Sequence, residues 1–376
     1  MSRITLMAIL VFASFNVMAH KPSDSYLALT IASNATYGQW DIALRDLDYA
    51  IGLDTNDDGN ITWAELRDHK EAVYAYAFNK LEISVNQQNC PLKPTDILVD
   101  EHSDGHYAVL NFQADCLAEA QQLSIAYRLF FDLDAQHRGL LKLTRNKRTD
   151  TAIFSPDRKQ VDFAANSVRK PWRELLNFAY EGVWHIWIGF DHILFLLSLL
   201  LPAALIRENS SWRPKQSLSR TFWDVFAVVT AFTLAHSITL SLAVLGYISL
   251  PTRWVESTIA ASVALAALNN IYPVFVHRRT WFAFSFGLIH GMGIASVLLD
   301  MGLPDGQRIL SLLGFNIGVE AGQLAIVSVA LPLIAWLSQY RYYPALVMKL
   351  GSAGIVTIAL VWLAERSLDF QMNIFW

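Results

Sequence analysis

The stretch VWHIWIGFDHILFLLSLLLPAAL at residues 183–205 decides the fold, because it is apolar over more than 20 positions. A helix rises about 1.5 Å per residue and the hydrocarbon core of a bilayer is about 30 Å thick, so this length is enough to cross it. Five further stretches of the same kind follow with short connections. The sequence therefore predicts an all-α domain of six transmembrane helices, near residues 183–205, 222–247, 254–276, 281–301, 309–338 and 343–364.

The composition of the 376-residue chain agrees with a membrane-embedded part, since 53% of residues are hydrophobic and only 16% are charged. Charge is concentrated in the first half, because residues 182–376 hold only nine acidic and eleven basic side chains. No basic block of the size that nucleic-acid binding needs is present. We therefore expect a lipid bilayer as partner and exclude nucleic acid, while the sequence names no protein partner.

The first 19 residues predict a secretory signal peptide. A single Arg3 precedes an apolar run that ends in the small-residue segment 17–19, which fits cleavage after Ala19. An uncleaved N-terminal anchor is the alternative, although the run is short for a membrane span. Either way the following segment is exported, which places it on the periplasmic side of the inner (plasma) membrane.

The distribution of Lys and Arg between the loops predicts the same orientation independently. An exported N-terminal domain requires the first span to run from periplasm to cytoplasm, which places both mature termini outside. The loops then assigned to the outside carry only Arg253, Arg308 and Arg366. The loops assigned to the inside contain a larger basic set: Arg207, Arg213, Lys215, Arg220, Arg278, Arg279, Arg341 and Lys349.

Residues 20–170 predict a small β-rich exported domain, because short runs of alternating apolar and polar residues are bounded by Asn, Asp, Gly or Pro. Helical spacing interrupts this pattern at 46–53 and at 63–81. Residues 171–182 are expected to be a linker, the six spans occupy 183–366, and 367–376 form a C-terminal tail. Cys90 and Cys116 lie in the exported domain, where an even count of cysteines in an oxidising compartment predicts a disulfide.

Residues 54–65, DTNDDGNITWAE, fit the twelve-residue calcium loop of an EF-hand position by position. Gly59 stands at position 6, where the loop bends sharply, and the flanking helical patterns complete an EF-hand-like helix-loop-helix. Calcium prefers six to eight oxygen ligands, which this spacing can provide. An acidic surface turn without calcium is the alternative. The predicted ligands are Asp54, Asn56, Asp58, the Asn60 carbonyl, Thr62 or its water, and Glu65.

Several ionisable side chains lie within the apolar stretches, where each costs roughly 2.5 to 3.5 kcal/mol at the bilayer centre on insertion scales. At about 1.5 Å per residue, four of them fall roughly 15 to 18 Å below the outer surface, each on a different helix. Imidazole and carboxylate together suit Zn, Ni, Co, Cu or Fe better than Mg or Ca. The pattern therefore predicts a transition-metal site whose deep ligands are His192, His236, His290 and Glu320.

Two further groups, His185 and Glu256, are expected about 5 Å below the same surface, where they would form an upper ring on the route inward. Because His185 and His192 are seven residues apart, one continuous helix would place both on the same face. Asp191 would be turned away from that face, where it is better placed to hold a neighbouring imidazole than to bind the metal directly.

Four motifs in this order resemble the HupE/UreJ family of membrane proteins, in the longer branch that carries an exported N-terminal domain. They are His185-x5-Asp191-His192, Ala-His-Ser-x-Thr at 235–239, Phe-Gly-Leu-x-His-Gly at 286–291 and Phe-Asn-x-Gly-Val-Glu-x-Gly-Gln at 315–323. The resemblance covers residues 180–366. It implies a secondary permease for nickel or cobalt, in which His185, Asp191, His192 and His290 take part in metal passage.

Three functions stay open at this point. The first is a transition-metal permease whose acidic exterior domain concentrates cations. The second is an enzyme, an intramembrane hydrolase in which histidines hold Zn with water in an open position. The third is a non-catalytic assembly protein, in which polar residues and the glycines beside them only hold the helices together.

Cleavage after Ala19 would also give His20 a free α-amine beside its imidazole, and these two nitrogens could chelate copper. The plain alternative is a first residue in a flexible terminus. A third copper ligand would come from His102, His106 or His137 in the same domain.

Overall fold

The computed structural model describes residues 24–32, 35–102, 105–116, 122–145, 148–164, 171–208, 211–215, 217–275, 278–300 and 305–368. The chain divides into two compact units. One joins residues 21–173 to 294–310, and the other joins 174–293 to 311–376. The predicted signal peptide and most of the predicted tail lie outside the described residues.

The first unit is rich in β-strands, as the alternating pattern predicted. A six-stranded sheet has the order β5-β6-β2-β1-β8-β9, and a four-stranded sheet has the order β10-β7-β3-β4. Neighbouring strands are antiparallel except β1 and β8, which are parallel. The strands are β1 Asp24–Ile31, β2 Thr36–Ala43, β3 Leu81–Val85, β4 Gln88–Asn89, β5 Leu92–His102, β6 Gly105–Ala114, β7 Gln122–Tyr127, β8 Arg138–Arg145, β9 Arg148–Phe154 and β10 Gln160–Ala164.

Three short helices follow β2, namely α1 Leu44–Ile51, α2 Trp63–Asp68 and α3 Lys70–Phe78. The helical pattern at 63–81 is therefore interrupted at His69 rather than continuous. One hydrophobic core joins both sheets to these helices, so burial of apolar surface holds the unit together. Trp40, Leu47, Leu66, Phe112 and Ile125 belong to this core.

A disulfide joins Cys90 to Cys116, with Cα atoms 4.7 Å apart. This confirms the predicted pair. The bridge links the segment between β4 and β5 to the residues that follow β6. It therefore closes the chain around the β5–β6 hairpin.

A chain of buried polar side chains crosses the core of this unit. Trp40 Nε1 donates to Ser25 Oγ at 3.2 Å, Ser25 Oγ lies 2.6 Å from the Tyr127 hydroxyl, and that hydroxyl lies 2.6 Å from His137 Nε2. If each hydroxyl donates onward, the chain ends on an unprotonated Nε2 of a neutral imidazole. Burial lowers the pKa of His137 from 6.5 to about 3.

The second unit is helical and contains most of the predicted spans. Its elements are α4 Pro171–Ile188, α5 Phe190–Leu200, β11 Leu205–Glu208, β12 Ser211–Pro214, α6 Leu218–Val244, α7 Thr252–Ile271 and α8 Arg279–His290. After α9 Ala295–Asp300 follow α10 Asp305–Leu337, a π-helical turn Pro344–Leu350 and α11 Gly351–Leu368. Helix α9 and the first residues of α10 belong to the other unit.

Three helices among the described residues are long and apolar enough to cross a membrane: α6, α10 from residue 308, and α11 with its preceding π-turn. A fourth crossing is possible if α4 and α5 count as one span, although they are bent by 70°. Three or four apolar helices place the chain in a membrane. The six predicted spans are therefore found only in part.

Two of the predicted spans differ from continuous helices. The span at 183–205 begins earlier, at Pro171, so the expected linker 171–182 is helical instead. It then breaks at Gly189 and ends at Leu200, before the β11–β12 hairpin. The span at 281–301 ends at His290, and a turn at 291–294 precedes α9. A Gly at each break lacks the side chain that would favour continued helix.

Close glycine contacts pack α10 against α4. The glycines recur every four residues along α10, so they lie on one face of the helix. A Cβ added at any of them would meet backbone atoms of α4: Gly314 lies against Leu175, Gly318 against Ala179 and Gly322 against Val183. Side chains larger than hydrogen would therefore push the two helices apart.

The helix ends of this unit gather in two groups. Arg279 donates to the Pro202 carbonyl at 3.4 Å, and Arg207 donates to the Pro273 carbonyl at 3.3 Å. The Tyr343 hydroxyl donates to the Leu201 carbonyl at 2.8 Å. These contacts bring together the end of α5, the end of α7, the start of α8 and the end of α10.

At the other end, Arg366 donates to the Glu256 carbonyl at 3.3 Å, and Arg253 donates to the Ser367 carbonyl. The start of α7 therefore lies beside the end of α11. Each group contains only loops that the Lys/Arg distribution assigned to one side of the membrane.

We expect the neutral His137 to make the stability of the β-rich unit depend on pH. Its folded pKa of about 3 lies below the unfolded value of 6.5, so the folded state binds fewer protons between these limits. The contribution of His137 to the free energy of unfolding is then fully present above pH 6.5. It decreases as the pH drops toward 3, by at most about 1.4 kcal/mol per pH unit. Calorimetry of the full-length protein across this range measures the slope.

His137→Gln is the matched variant, because its side-chain oxygen can still accept from Tyr127 but does not titrate. The wild-type protein should lose more stability than the variant between pH 6.5 and pH 4. Parallel pH curves for the two proteins would show that His137 carries no such linkage.

Candidate metal centre

Three buried or half-buried histidines come together inside the helical unit. One ligand atom from each of His185, His192 and His236 lies within 4.8 Å of the other two. Among the described residues, these three form the group of His, Cys, Asp or Glu side chains whose ligand atoms lie close enough to be candidates for holding one metal ion. Because zinc binds imidazole nitrogen at about 2.0 to 2.1 Å, the three nitrogens would have to move closer together to share one ion.

His290 extends this group on the side of His192. The ring centroids of these two residues are 5.0 Å apart in an edge-to-face arrangement, and the His185 and His192 centroids are 4.8 Å apart. His192 therefore lies between two other imidazoles. We name His185, His192, His236 and His290 together the imidazole cluster.

The cluster presents unpaired nitrogens in a buried place. Within the described part of the chain, Nε2 of His185, His192 and His236 and Nδ1 of His290 have no hydrogen-bond partner. A buried polar atom without a partner costs roughly 1 to 3 kcal/mol, so such a group calls for a physical reason. Metal ligation is one, since it needs a nitrogen lone pair that no proton occupies.

Asn316 of α10 orients His236. Its amide nitrogen donates to the Leu312 carbonyl at 2.8 Å, which turns Oδ1 toward His236 Nδ1 at 3.3 Å. Because that oxygen can only accept, Nδ1 of His236 must carry the proton. The lone pair is then on Nε2, the nitrogen that has no partner.

Ser262 of α7 orients His290 in the opposite sense. Its hydroxyl donates to the Ile259 carbonyl at 2.6 Å, so its oxygen is left to accept from His290 Nε2 at 2.9 Å. The proton of His290 is then on Nε2 and the lone pair on Nδ1. His290 would therefore bind a metal through Nδ1, whereas His236 would bind it through Nε2.

Asp191 lies directly beside the cluster. Its Oδ1 is 3.0 Å from His192 Nδ1, although this contact lacks hydrogen-bond geometry, and it accepts from the His192 backbone N–H at 2.8 Å. A carboxylate at this distance favours the proton on Nδ1 and the lone pair on Nε2. The prediction that Asp191 holds an imidazole rather than binding the ion concerns this neighbour, His192.

The break at Gly189 creates this arrangement. His185 lies in the last turn of α4, and His192 lies in the first turn of α5. The prediction that both lie on one face of a continuous helix is therefore wrong, and their proximity comes from the 70° bend instead. Gly189 has an ordinary φ of −73°, but a Cβ there would lie 2.8 Å from both the His185 carbonyl and His192 Nδ1.

The predicted division into two depths also differs from the structure. His185 was expected about 10 Å above the deep ligands, yet it belongs to the three-histidine group. Glu320 was expected among the deep ligands, but its carboxylate accepts from Thr230 Oγ1 at 2.8 Å and it is not in that group. Glu256 lies at the first turns of α7, where its carbonyl accepts from Arg366.

Three positioning residues were not predicted from sequence, namely Asn316, Ser262 and Thr230. Asn316 lies in the quoted motif four residues before Glu320, so helical spacing could have shown that both share one face of α10. Ser262 and Thr230 are small hydroxyl residues in apolar helices, where the usual partner is a carbonyl of the same helix. Sequence alone gives no sign that they contact a histidine or a carboxylate.

The predicted calcium loop lies between α1 and α2. The Asp54 carboxylate accepts from the Asp58 and Gly59 backbone N–H groups, and Gly59 has a φ of +78°, which suits glycine. Asn56 Oδ1 accepts from the Asp58 backbone N–H at 2.9 Å, and Asp58 Oδ1 accepts from the Asn60 backbone N–H at 2.8 Å. The side-chain oxygens at positions 1, 3 and 5 thus turn toward the loop.

Glu65 points back into this loop from the first turn of α2. It forms a capping box with Thr62, and it also accepts from the Thr55 backbone and hydroxyl. Hydrogen bonds from the backbone and hydroxyl of Thr62, together with those from Thr55, lower the pKa of Glu65 from 4.5 to about 2. Glu65 is therefore ionised at neutral pH, as a calcium ligand must be.

The predicted copper ligand His20 lies outside the described residues. Of its suggested partners, His137 is fully buried and bonded to Tyr127. His102 lies 3.1 Å from an Asp41 carboxylate oxygen and stacks on Tyr26, whereas His106 is exposed. Burial thus removes His137 from the candidates for a surface chelate.

Apolar helices around a buried group of imidazoles define a membrane protein with a candidate transition-metal site. The family described as HupE/UreJ protein matches residues 160–366, more than half of the chain. The protein belongs to the HupE/UreJ family, as its motifs predicted. No curated protein matches the chain.

We expect Gly189→Ala to weaken metal binding at the cluster by at least tenfold, because the added methyl group would displace His192 or the end of α4. The purified full-length protein, titrated with Ni²⁺ or Zn²⁺ in calorimetry, measures the affinity. Gly354→Ala in α11 is the matched control, since a Cβ there meets nothing within 4 Å. Equal affinities for the two variants would contradict the assigned role of Gly189.

Proposed function

We propose that this protein is a membrane permease for a transition-metal ion, with nickel or cobalt as the favoured cargo, and that the imidazole cluster binds the ion on its way across. The single observation that carries the proposal is the position of this cluster at breaks in two helices. His185 and His192 flank the break at Gly189, and His290 is the last residue of α8.

Broken helices support passage rather than a purely structural role. Helix α8 has 12 residues and α5 has 11, so at about 1.5 Å per residue each covers roughly half of a bilayer. Non-helical backbone at membrane depth is tolerated where it is buried in protein or lines a cavity. Ion sites of many secondary transporters are built from such discontinuous helices.

Further polar groups continue from the cluster along α6 and α10. Thr230 donates to Glu320 at 2.8 Å, and Thr233 donates to Gln323 Oε1 at 2.9 Å. Thr230 lies six residues, or about 9 Å, before His236 on the same helix. In the proposed orientation this direction leads toward the cytoplasm. Glu320 would then be a second binding group for the cation, which passage requires because the ion must be released as well as bound.

The two groups of helix ends support the proposed topology of six crossings with both mature termini outside. Loops assigned to the cytoplasm meet at one end, through Arg207, Arg279 and Tyr343. Loops assigned to the periplasm meet at the other, through Arg253 and Arg366. For the loops to be divided between two sides in this way, the chain must cross the membrane at every predicted span. The pair α4 and α5 must then form one crossing, and the shortened α8 must form another.

The chemistry of the donors favours a transition metal. Four imidazoles provide nitrogen ligands, which suit Ni, Co, Cu, Fe and Zn, whereas Mg and Ca prefer oxygen. Asp191 is the nearby carboxylate, so the cluster would carry little excess negative charge. Nickel and cobalt are named first because the family resemblance implies them.

An intramembrane zinc hydrolase is the second candidate, and the compact three-histidine group favours it. Three imidazoles on Zn leave a fourth position for water, whose pKa the metal would lower to about 7. His290 or Asp191 would then have to serve as base. A non-catalytic assembly role is the third candidate, supported by the glycine contacts between α4 and α10, which need no metal.

The exported domain is proposed to be a calcium-stabilised periplasmic module, released from its signal peptide after Ala19. The proposed calcium ligands are Asp54, Asn56, Asp58, Asn60, Thr62 and Glu65. Their oxygen chemistry fits calcium, and Glu65 joins the loop to α2. A single loop of this type in a calcium-rich compartment is more often a permanent support than a switch.

We expect the protein to raise the activity of a nickel-dependent enzyme in a nickel-starved bacterial host. His192→Ala or His290→Ala should abolish the gain, because each removes a cluster nitrogen. His106→Ala is the matched control, since this histidine is exposed in β6 and outside the helical unit. Immunoblots check that the variants reach equal protein levels.

The alternatives predict other results in this assay. Equal rescue by wild type, His192→Ala and His290→Ala would remove the histidines from the mechanism and favour an assembly role. Absence of rescue with nickel and with cobalt, combined with zinc retained by the purified protein, would favour the hydrolase.

We expect calcium to raise the melting temperature of the β-rich unit in the full-length protein, because binding to the folded state adds RT ln(1 + [L]/Kd). Glu65→Ala should lower calcium affinity by at least tenfold and remove most of this shift. Glu71→Ala, at an exposed glutamate of the neighbouring helix, should leave both unchanged. Calorimetry that detects no calcium binding by the wild-type protein would refute the calcium site.

A further inference from the structure

A cavity of about 490 Å³ opens between the end of α5, the β11–β12 hairpin, the first half of α6 and the start of α8. Its volume lies within the range of about 300 to 1,000 Å³ that is usual for ligand sites. All its lining residues belong to the helical unit, and none belongs to the imidazole cluster.

One wall of the cavity is apolar and the rim is basic. Leu196 and Leu199 of α5 and Val225, Val228 and Val229 of α6 provide the apolar wall. These residues lie in helices that the sequence places in the hydrocarbon region. A ligand here must therefore have a long apolar part.

Three cations and one carboxylate form the charged part of the lining: Arg207, Lys215, Arg279 and Asp224. The Lys215 ammonium donates to the Asp224 carboxylate at 2.9 Å, so these two charges offset each other. The two guanidinium groups remain, which leaves a local charge of +2. A ligand that fits this rim must therefore be anionic.

Both guanidinium groups are oriented by the backbone, and among the described residues each donates one hydrogen bond. Arg207 Nη1 donates to the Pro273 carbonyl, and Arg279 Nη1 donates to the Pro202 carbonyl. A guanidinium has five N–H donors, so one hydrogen bond uses only a fifth of its capacity. Their planar geometry matches two oxygens of a phosphate group.

We propose that this cavity binds an anionic phospholipid of the cytoplasmic leaflet, with its phosphate at Arg207 and Arg279 and an acyl chain along the α5–α6 wall. Basic pockets between transmembrane helices on the cytoplasmic side are a recurring form of lipid recognition. The lipid would join the α5 end to the α8 start, the two segments that lead to the imidazole cluster. This inference rests on the proposed orientation of the helices in the membrane and not on the identity of the metal.

Native mass spectrometry of the delipidated full-length protein tests this, with phosphatidylglycerol and phosphatidylethanolamine of identical acyl chains as probes. We expect phosphatidylglycerol to bind at least tenfold more tightly. The double variant Arg207→Gln/Arg279→Gln should lose this preference. The double variant Arg220→Gln/Arg278→Gln is the matched control, since it removes two exposed arginines at the starts of α6 and α8 that do not line the cavity.

Ala227→Trp keeps every charge and tests the apolar wall, because Ala227 lines the cavity at an exposed position of α6. It should reduce phosphatidylglycerol binding at least fivefold by filling the space for the acyl chain. Excess glycerol 3-phosphate should fail to displace the lipid. The proposal is overturned by equal binding of the two lipids to the wild-type protein, by an equal loss in the matched control, or by displacement with glycerol 3-phosphate.

Discussion

The helix break at Gly189 is the constraint on which the rest of the candidate site depends. A straight helix would keep His185 and His192 two turns apart, at about 10 Å. The break instead brings their ring centroids to 4.8 Å and turns both imidazoles toward His236. The space for this turn exists only because residue 189 has no side chain, since a Cβ would meet the His185 carbonyl and His192 Nδ1.

Neighbouring helices then fix what the break brings together. The glycines of α10 let that helix approach α4 closely, and Asn316 of the same helix lies against His236 of α6. Ser262 of α7 contacts His290 through the other ring nitrogen, Nε2. Each contact assigns the proton to one ring nitrogen and leaves the other for a ligand, so the polar neighbours define the donor atoms. Close packing and metal binding are therefore compatible explanations of the same arrangement.

Much of the general organisation could be predicted from sequence, because it depends on local patterns. Alternation predicted the β-rich unit, cysteine count predicted the disulfide, and four motifs predicted the family. The site geometry could not be predicted in the same way. The predicted depth of each residue below the membrane surface assumed straight helices. It therefore separated His185 from His192 and grouped Glu320 with the histidines. The bend at Gly189 and the Thr230–Glu320 hydrogen bond are tertiary features, and a periodic pattern contains no information on either.

X-ray absorption spectroscopy of the zinc-loaded full-length protein tests the central claim most directly, because it reports the atoms bound to the ion. The imidazole cluster predicts a first shell of three or four nitrogens at about 2.0 to 2.1 Å, with the outer-shell scattering that imidazole rings produce. His236→Ala should lower the number of imidazoles by one. A first shell dominated by carboxylate oxygen, or a spectrum that is unchanged in His236→Ala, would contradict the account.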